Sequence, residues 1–228
     1  RRVAAASRPP RSETIVGTGS SLSCGERRTP WGSIALLSVA AVLLTVAAAG
    51  PNVLPGDVAV AREIQEGDVP SAAEVAWLGN RAGALDTAVA LATVLAVAFA
   101  FARRWGDASL VAATVVGRSL NPLLKAIAAS PRPTSDLVLV ARPFHGLGFP
   151  SGHAMGAMLI FGGIAVVAHE RIRCRTLRLV VAAGAGLMIL ATGFGRVYVG
   201  AHWPSDVLGG YLWGALLLLV LRRILVRL

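Results

Sequence analysis

Residues 152–194 read GHAMGAMLIFGGIAVVAH, then ERIRCRT, then LRLVVAAGAGLMILATGF. The first 18-residue run contains no Asp, Glu, Lys or Arg, and the second contains only Arg178. The link between them carries Arg171, Arg173 and Arg175. About 20 apolar helical residues, rising roughly 1.5 Å each, cross a hydrocarbon core about 30 Å thick. Two such runs around a basic hinge predict a membrane hairpin whose hinge stays in the cytoplasm, where Lys and Arg are retained.

Four more segments of similar character lie at 31–49, 82–102, 108–125 and 207–221. The run at 108–125 is interrupted by Arg118 and by Asn121-Pro122. The last is bounded by Pro204 and by Arg222-Arg223. With six spans, every arginine cluster falls on one side. The clusters are Arg1, Arg2, Arg8, Arg11, Arg27 and Arg28 before the first span, then Arg103-Arg104, Arg171 to Arg178, and Arg222, Arg223 and Arg227. The expected fold is all-α: a six-transmembrane-helix bundle with both termini cytoplasmic. Residues 1–28, rich in Arg, Ser, Gly and Thr, read as a disordered basic tail, and residues 29–228 as the membrane domain. Between spans one and two, Val58, Ala61 and Ile64-Gln65 recur at helical spacing among Glu63, Glu66 and Asp68. That pattern predicts a short amphipathic helix at the interface. Glycines such as Gly162-Gly163, Gly184, Gly186, Gly209-Gly210 and Gly214 would let helices approach closely.

The composition agrees. Of the 228 residues, 55% are hydrophobic and 15% charged, against about 25% charged in soluble domains. A soluble enzyme domain, a disordered regulator and a secreted disulfide scaffold are excluded. A net charge of +10 would otherwise suggest nucleic acid. Here the arginines flank apolar spans, so the charge is topological and no nucleic-acid partner is expected. Cys24 and Cys174 both fall on the expected cytoplasmic side and lack metal-site spacing.

Ionisable groups near a bilayer are costly and mark function. Three clusters stand at the outer ends of spans three to six: Lys125 to Pro131-Arg132-Pro133; Pro150-Ser151-Gly152-His153; and Gly195-Arg196 followed by His202-Trp203-Pro204-Ser205-Asp206. Lys125 is the only lysine among 22 basic residues, which suggests a need for a compact point charge. Lys125, Arg132 and Arg196 suit an anion with several peripheral oxygens. The backbone N–H groups of Ser151 and Gly152, at the start of a helix, would point at the same anion. His202 and Asp206, one helical turn apart, could instead hold a metal, but the surrounding cations would repel one. Arg118, seven residues before Lys125, is expected to pair with Asp86 beneath the site. Arg142 and His145 lie in the loop before Pro150, where a plain loop role is the simpler reading.

The pattern Lys-x6-Arg-Pro, Pro-Ser-Gly-His, Arg-x5-His-x3-Asp resembles the three-part signature of the type 2 phosphatidic acid phosphatase superfamily. The resemblance covers roughly residues 50–215. It departs at Gly195, where the family usually has serine. It implies metal-independent hydrolysis of a phosphate ester or anhydride, without a cofactor, through a phosphohistidine. The matching residues would be His202 as nucleophile, Asp206 orienting it and His153 as general acid. Lys125, Arg132, Ser151, Gly152 and Arg196 would hold the phosphate. The expected partner is a phosphorylated lipid, with the site at the extracytoplasmic face. Polyprenyl diphosphate is the first expectation, ahead of phosphatidylglycerophosphate or phosphatidic acid. A lipid phosphotransferase and a non-catalytic lipid-binding or transport relative stay open. The haloperoxidase relatives are soluble, unlike this chain.

Overall fold

The computed structural model describes residues 31–68 and 70–225. The expected tail, with Cys24, lies outside them. Among the described residues there are nine helices: α1 (Trp31–Ala47), α2 (Asp57–Glu66), α3 (Ala72–Ala82), α4 (Leu85–Phe101), α5 (Trp105–Arg118), α6 (Asn121–Ala128), α7 (Gly152–Arg171), α8 (Arg175–Tyr198) and α9 (Pro204–Leu225). Helices α5 and α6 together make one apolar stretch, Trp105–Ala128. It breaks at Ser119-Leu120, where Pro122 starts the second part. That stretch, α7, α8 and α9 are each long and apolar enough to cross a membrane, and α3 with α4 makes a fifth candidate bent by 59°. The protein is a polytopic membrane protein. Helix α1 is apolar but only 17 residues long.

Four candidate spans run past their hydropathy boundaries: α7 to Arg171, α8 from Arg175 to Tyr198, α9 from Pro204 to Leu225, and the α5–α6 stretch from Trp105 to Ala128. Charged and aromatic residues end an apolar run without ending a helix, because their long side chains extend beyond the hydrocarbon.

Helix α7 is the hub, packing against α5, α8 and α9. In lipid there is little hydrophobic drive between helices, so close backbone packing takes its place. Gly210 and Gly214 of α9 show it. A Cβ at Gly210 would meet the Ser151 carbonyl and Ala154, and one at Gly214 would meet Met158 and the Met155 carbonyl. Gly184 and Gly186 do not share this role, since a Cβ at either would meet open space. Exposed Leu36, Leu43, Val94, Val180, Leu187 and Leu190 form the outward apolar surface expected of a bundle in lipid.

One end of the bundle is tied by ion pairs. Arg171 forks onto buried Asp107 (Nε–Oδ2 2.9 Å, Nη2–Oδ1 3.0 Å), and Arg222 meets Glu170 at 2.6 Å. Arg104 and Arg171 line one groove, and Arg223 stacks 3.9 Å above the Trp31 ring. The arginine clusters that follow α4, α7 and α9 therefore gather at this end.

The other end is organised by α2, which forms where the amphipathic pattern predicts, and by α3, which lies in the polar stretch between spans one and two where the sequence reading named no second helix. Between α6 and α7 runs a 23-residue connection. Loops of that length without regular structure are usually functional, and this one is pinned along its course. Gln65 clamps Leu139 through both amide groups (Leu139 N to Oε1 3.0 Å, Nε2 to Leu139 O 2.8 Å). Arg62 Nε donates to the Leu137 carbonyl at 2.8 Å, and the Ala141 N–H to the Val199 carbonyl at 3.1 Å. The start of α2 also caps α9. Buried Asp57 accepts the Ser205 hydroxyl at 2.6 Å and the Ser205 N–H at 2.9 Å.

Candidate active site

His202 sits in the tight turn between α8 and α9. The Arg196 carbonyl accepts the N–H groups of Ala201 (3.0 Å) and His202 (3.2 Å), folding the chain back over the end of α8. Gly200 makes the turn possible: its φ is +66°, and a Cβ there would collide with the Leu139 carbonyl and Val140. Proline at 204 and the Asp57 cap then start α9, which places Asp206 one turn beyond His202.

The imidazole is 3% exposed and held at both nitrogens. Nδ1 lies 3.0 Å from Asp206 Oδ2, and Nε2 lies 3.3 Å from Arg132 Nη1. Asp206 is fully buried; its Oδ2 also accepts the Trp203 N–H at 3.1 Å, and its backbone carbonyl accepts the Ser151 N–H at 2.9 Å. A carboxylate facing Nδ1 favours a proton there, leaving the Nε2 lone pair toward the cations. Burial first, then the positive charges of Lys125, Arg132 and Arg196, hold the His202 pKa well below the usual 6.5. The ring is therefore neutral at neutral pH.

The cations are positioned by neutral carbonyl oxygens, not carboxylates. Lys125 Nζ, near the end of α6, donates to the carbonyls of Leu147 (2.5 Å) and Gly148 (2.6 Å). Arg132 donates from Nε to the Gly146 carbonyl (3.1 Å) and from Nη1 to the Ala201 carbonyl (2.7 Å). Arg196 is 6% exposed; its Nη1 donates to Asn80 Oδ1 of α3 at 2.9 Å, while its buried Nε has no partner among the described residues. A buried N–H left open is costly, and an incoming phosphate oxygen is a natural acceptor for it.

His153, on the first turn of α7, lines a cavity of about 330 Å³ with Asn80, Arg81, Arg142, Phe144 and Arg196. The α3–α4 bend passes beside it, because a Cβ at Gly83 would lie 3.1 Å from both the His153 Cβ and its carbonyl oxygen. The six ionisable residues of the three motifs thus meet at one end of the bundle. Ser151 is placed differently from expectation. It is fully enclosed, its N–H is spent on Asp206, and its Oγ accepts the Ala154 N–H at 3.5 Å as the N-cap of α7. Gly152 packs against Asn121, whose Nδ2 donates to the Pro150 carbonyl at 3.1 Å.

The expected Arg118–Asp86 ion pair is not formed. Asp86 meets Arg81 at 3.5 Å, while Arg118 Nη1 donates to the Gly83 carbonyl at 3.1 Å and packs against Gly156. The α3–α4 bend puts a free carbonyl within reach of Arg118 and leaves Asp86 beside the more exposed Arg81. Sequence reasoning also missed Asn80, Asn121 and Phe144. For Asn121 there was a signal, an amide inside an otherwise apolar span; Asn80 lies just before the second span, beyond the amphipathic pattern of Val58 to Gln65.

Gly195 has a structural explanation. Helix α3 crosses α8 at this point, and a Cβ at 195 would lie 2.6 Å from the Ala76 carbonyl oxygen. The serine usual in the resembling family does not fit under this helix. Asn80, one turn along α3, supplies the polar contact to the neighbouring arginine instead.

Residues 107–228 match the PAP2 superfamily. The chain is 30% identical over 126 residues to phosphatidylglycerophosphatase B of Bacillus subtilis (strain 168), covering 54% of this chain and 60% of that protein. The match thus spans about 60% of that relative's length. In fold it is similar to the crystal structure described as the first transmembrane PAP2 type phosphatidylglycerolphosphate phosphatase from Bacillus subtilis. The TM-score is 0.69 at 24% identity, covering 82% of this chain and 93% of the other.

Proposed function

The chain belongs to the PAP2 superfamily, and from that premise we propose that it is a metal-independent membrane lipid phosphatase acting through a phosphohistidine. The observation that carries this reading is the placement of His202, neutral and buried between Asp206 and Arg132, with Lys125 and Arg196 close enough to act on it electrostatically. A phosphoryl group entering here displaces Arg132 from Nε2 and meets three cations. Catalysis is then mainly positioning and charge stabilisation.

His202 Nε2 attacks phosphorus as the bond to the leaving oxygen breaks. His153 donates its proton to that oxygen. Asp206 stabilises the positive imidazole while the N–P bond lasts. Water, deprotonated by His153, then releases inorganic phosphate and restores both histidines. The N–H of Gly152, at the start of α7, completes the phosphate cradle.

For the substrate, the similarity to a phosphatidylglycerophosphatase puts phosphatidylglycerophosphate ahead of the polyprenyl diphosphate that the family resemblance and topology put first. We read six spans, with α1 as the first and the bent α3–α4 pair as the second, both termini cytoplasmic and the site at the extracytoplasmic interface. The arginine-rich end of the bundle supports that orientation. The test is phosphate release from phosphatidylglycerophosphate by purified protein in detergent containing EDTA, beside His202→Ala. Release that survives EDTA and falls by about a thousandfold or more in the variant is expected. Loss on EDTA alone, or full activity in the variant, overturns the mechanism.

A further inference from the structure

Three guanidinium groups surround the ring of Phe144. Arg142 lies 5.3 Å from its centroid, Arg196 5.4 Å and Arg132 6.0 Å. Arg132 and Arg196 belong to the phosphate site. Arg142 does not, yet the same ring gathers it to them. None of the three has a carboxylate within ion-pair distance among the described residues, whereas Arg81, Arg171 and Arg222 each do. Three like charges around one neutral ring call for an anion that is not part of the protein.

The position of Arg142 is built. Its neighbour Ala141 donates its N–H to the Val199 carbonyl, which ties this part of the loop to the end of α8, three residues from Arg196. Arg142 itself is exposed, and with Phe144, Asn80 and Arg196 it lines the cavity of about 330 Å³ that also takes in His153. His202 and Lys125 are not among that cavity's lining residues. The cavity therefore extends from the general-acid side of the site, where the leaving oxygen departs. Its volume lies in the range of small-molecule pockets, roughly 300–1,000 Å³.

We propose that Arg142, held by Phe144, binds a second phosphate on the leaving-group side of the substrate, so that the enzyme selects lipids carrying two phosphates over lipids carrying one. This rests on the lipid-phosphatase reading above and names the substrate class it favours. A diphosphate lipid carries its second phosphate directly on the leaving oxygen. Phosphatidylglycerophosphate carries it across a glycerol. Phosphatidic acid carries none.

The experiment compares kcat/KM on phosphatidylglycerophosphate, a polyprenyl diphosphate and phosphatidic acid for the full chain in detergent, as wild type, Arg142→Gln and Arg142→Lys. The wild type is expected to prefer the two-phosphate lipids. Arg142→Gln is expected to lose about tenfold or more on them and several-fold less on phosphatidic acid, with Arg142→Lys intermediate. Whichever two-phosphate lipid loses more identifies the spacing that Arg142 reads. Because Arg142 is exposed, the variants should melt with the wild type; if Arg142→Gln does not fold, Arg142→Lys carries the comparison. An equal loss on all three lipids, or no loss, overturns the inference and leaves the phosphatase reading standing. Phosphate release from none of the three by the wild type overturns that reading itself, and the inference with it.

Discussion

Gly195 of α8 and Ala76 of α3 pack backbone against backbone, with no room for a side chain between them. This contact sets the crossing of α3 over the end of α8 and carries Asn80 to Arg196. Gly195→Ser should therefore force the two helices apart instead of adding a useful hydroxyl. The expected cost is about 1–3 kcal/mol of stability, read as a lower melting temperature in detergent, together with reduced turnover. An unchanged melting temperature with higher activity would mean that α3 does not lie against α8 in the working protein.

Asn80 accepts the Arg196 Nη1 proton at 2.9 Å, and no other side chain bonds that guanidinium among the described residues. Asn80→Ala should leave the arginine charged and present but less well aimed. A hydrogen bond to a charged group is worth about 1.5–3 kcal/mol, so kcat/KM should fall by about tenfold or more, with a smaller effect on stability. Wild-type kinetics in this variant would show that Arg196 is positioned without it.

Asp57 ties α2 to the start of α9 through Ser205. Asp57→Ala should cost about 1 kcal/mol, the usual loss for a helix cap. Burial raises the Asp57 pKa, with the Ser205 hydrogen bonds working against it. The folded state therefore holds this proton more tightly than the unfolded chain does. Its contribution to stability is complete below the unfolded value near 3.8 and is lost as pH rises through the folded one. Asp57→Asn should flatten that part of a stability profile measured from pH 3 upward. A profile unchanged by the substitution would count against it.

His202 has the opposite sign. Its folded pKa is depressed by burial and by the surrounding cations, so the unfolded chain takes up a proton near pH 6.5 that the folded protein refuses. Stability from this group is complete above that pH and falls as the solution becomes more acidic. His202→Gln should make the stability of the protein less sensitive to acid. Imidazole NMR of the wild type at pH 6 should still show the neutral ring protonated at Nδ1. A His202 signal titrating at 6.5 or above would contradict the enclosed, cation-lined setting.

Much of this was legible along the chain because it is local. An apolar run long enough to span a bilayer must become a helix, since lipid offers its backbone no other hydrogen-bond partners, and arginines between runs mark one side. The pairing of His202 with Asp206 follows from a separation of one helical turn. The amphipathic period of α2 was visible for the same reason. The motif residues could be named because their chemistry, cations and histidines beside a membrane, has few structural uses.

What only the tertiary structure decided were contacts between residues far apart in sequence. Asn80 and Arg196, Gly195 and Ala76, Asp57 and Ser205, and Phe144 with its three arginines are brought together by the crossing of α3 over α8 and by the pinned α6–α7 loop. Arg118 had one partner within reach of a sequence argument, Asp86. The bend between α3 and α4, not charge complementarity, assigned it a carbonyl and gave Asp86 to Arg81. Helix formation in lipid is dictated residue by residue. Which helix lies against which depends on where two backbones can touch, and that is a property of pairs of surfaces, which no single stretch of sequence contains.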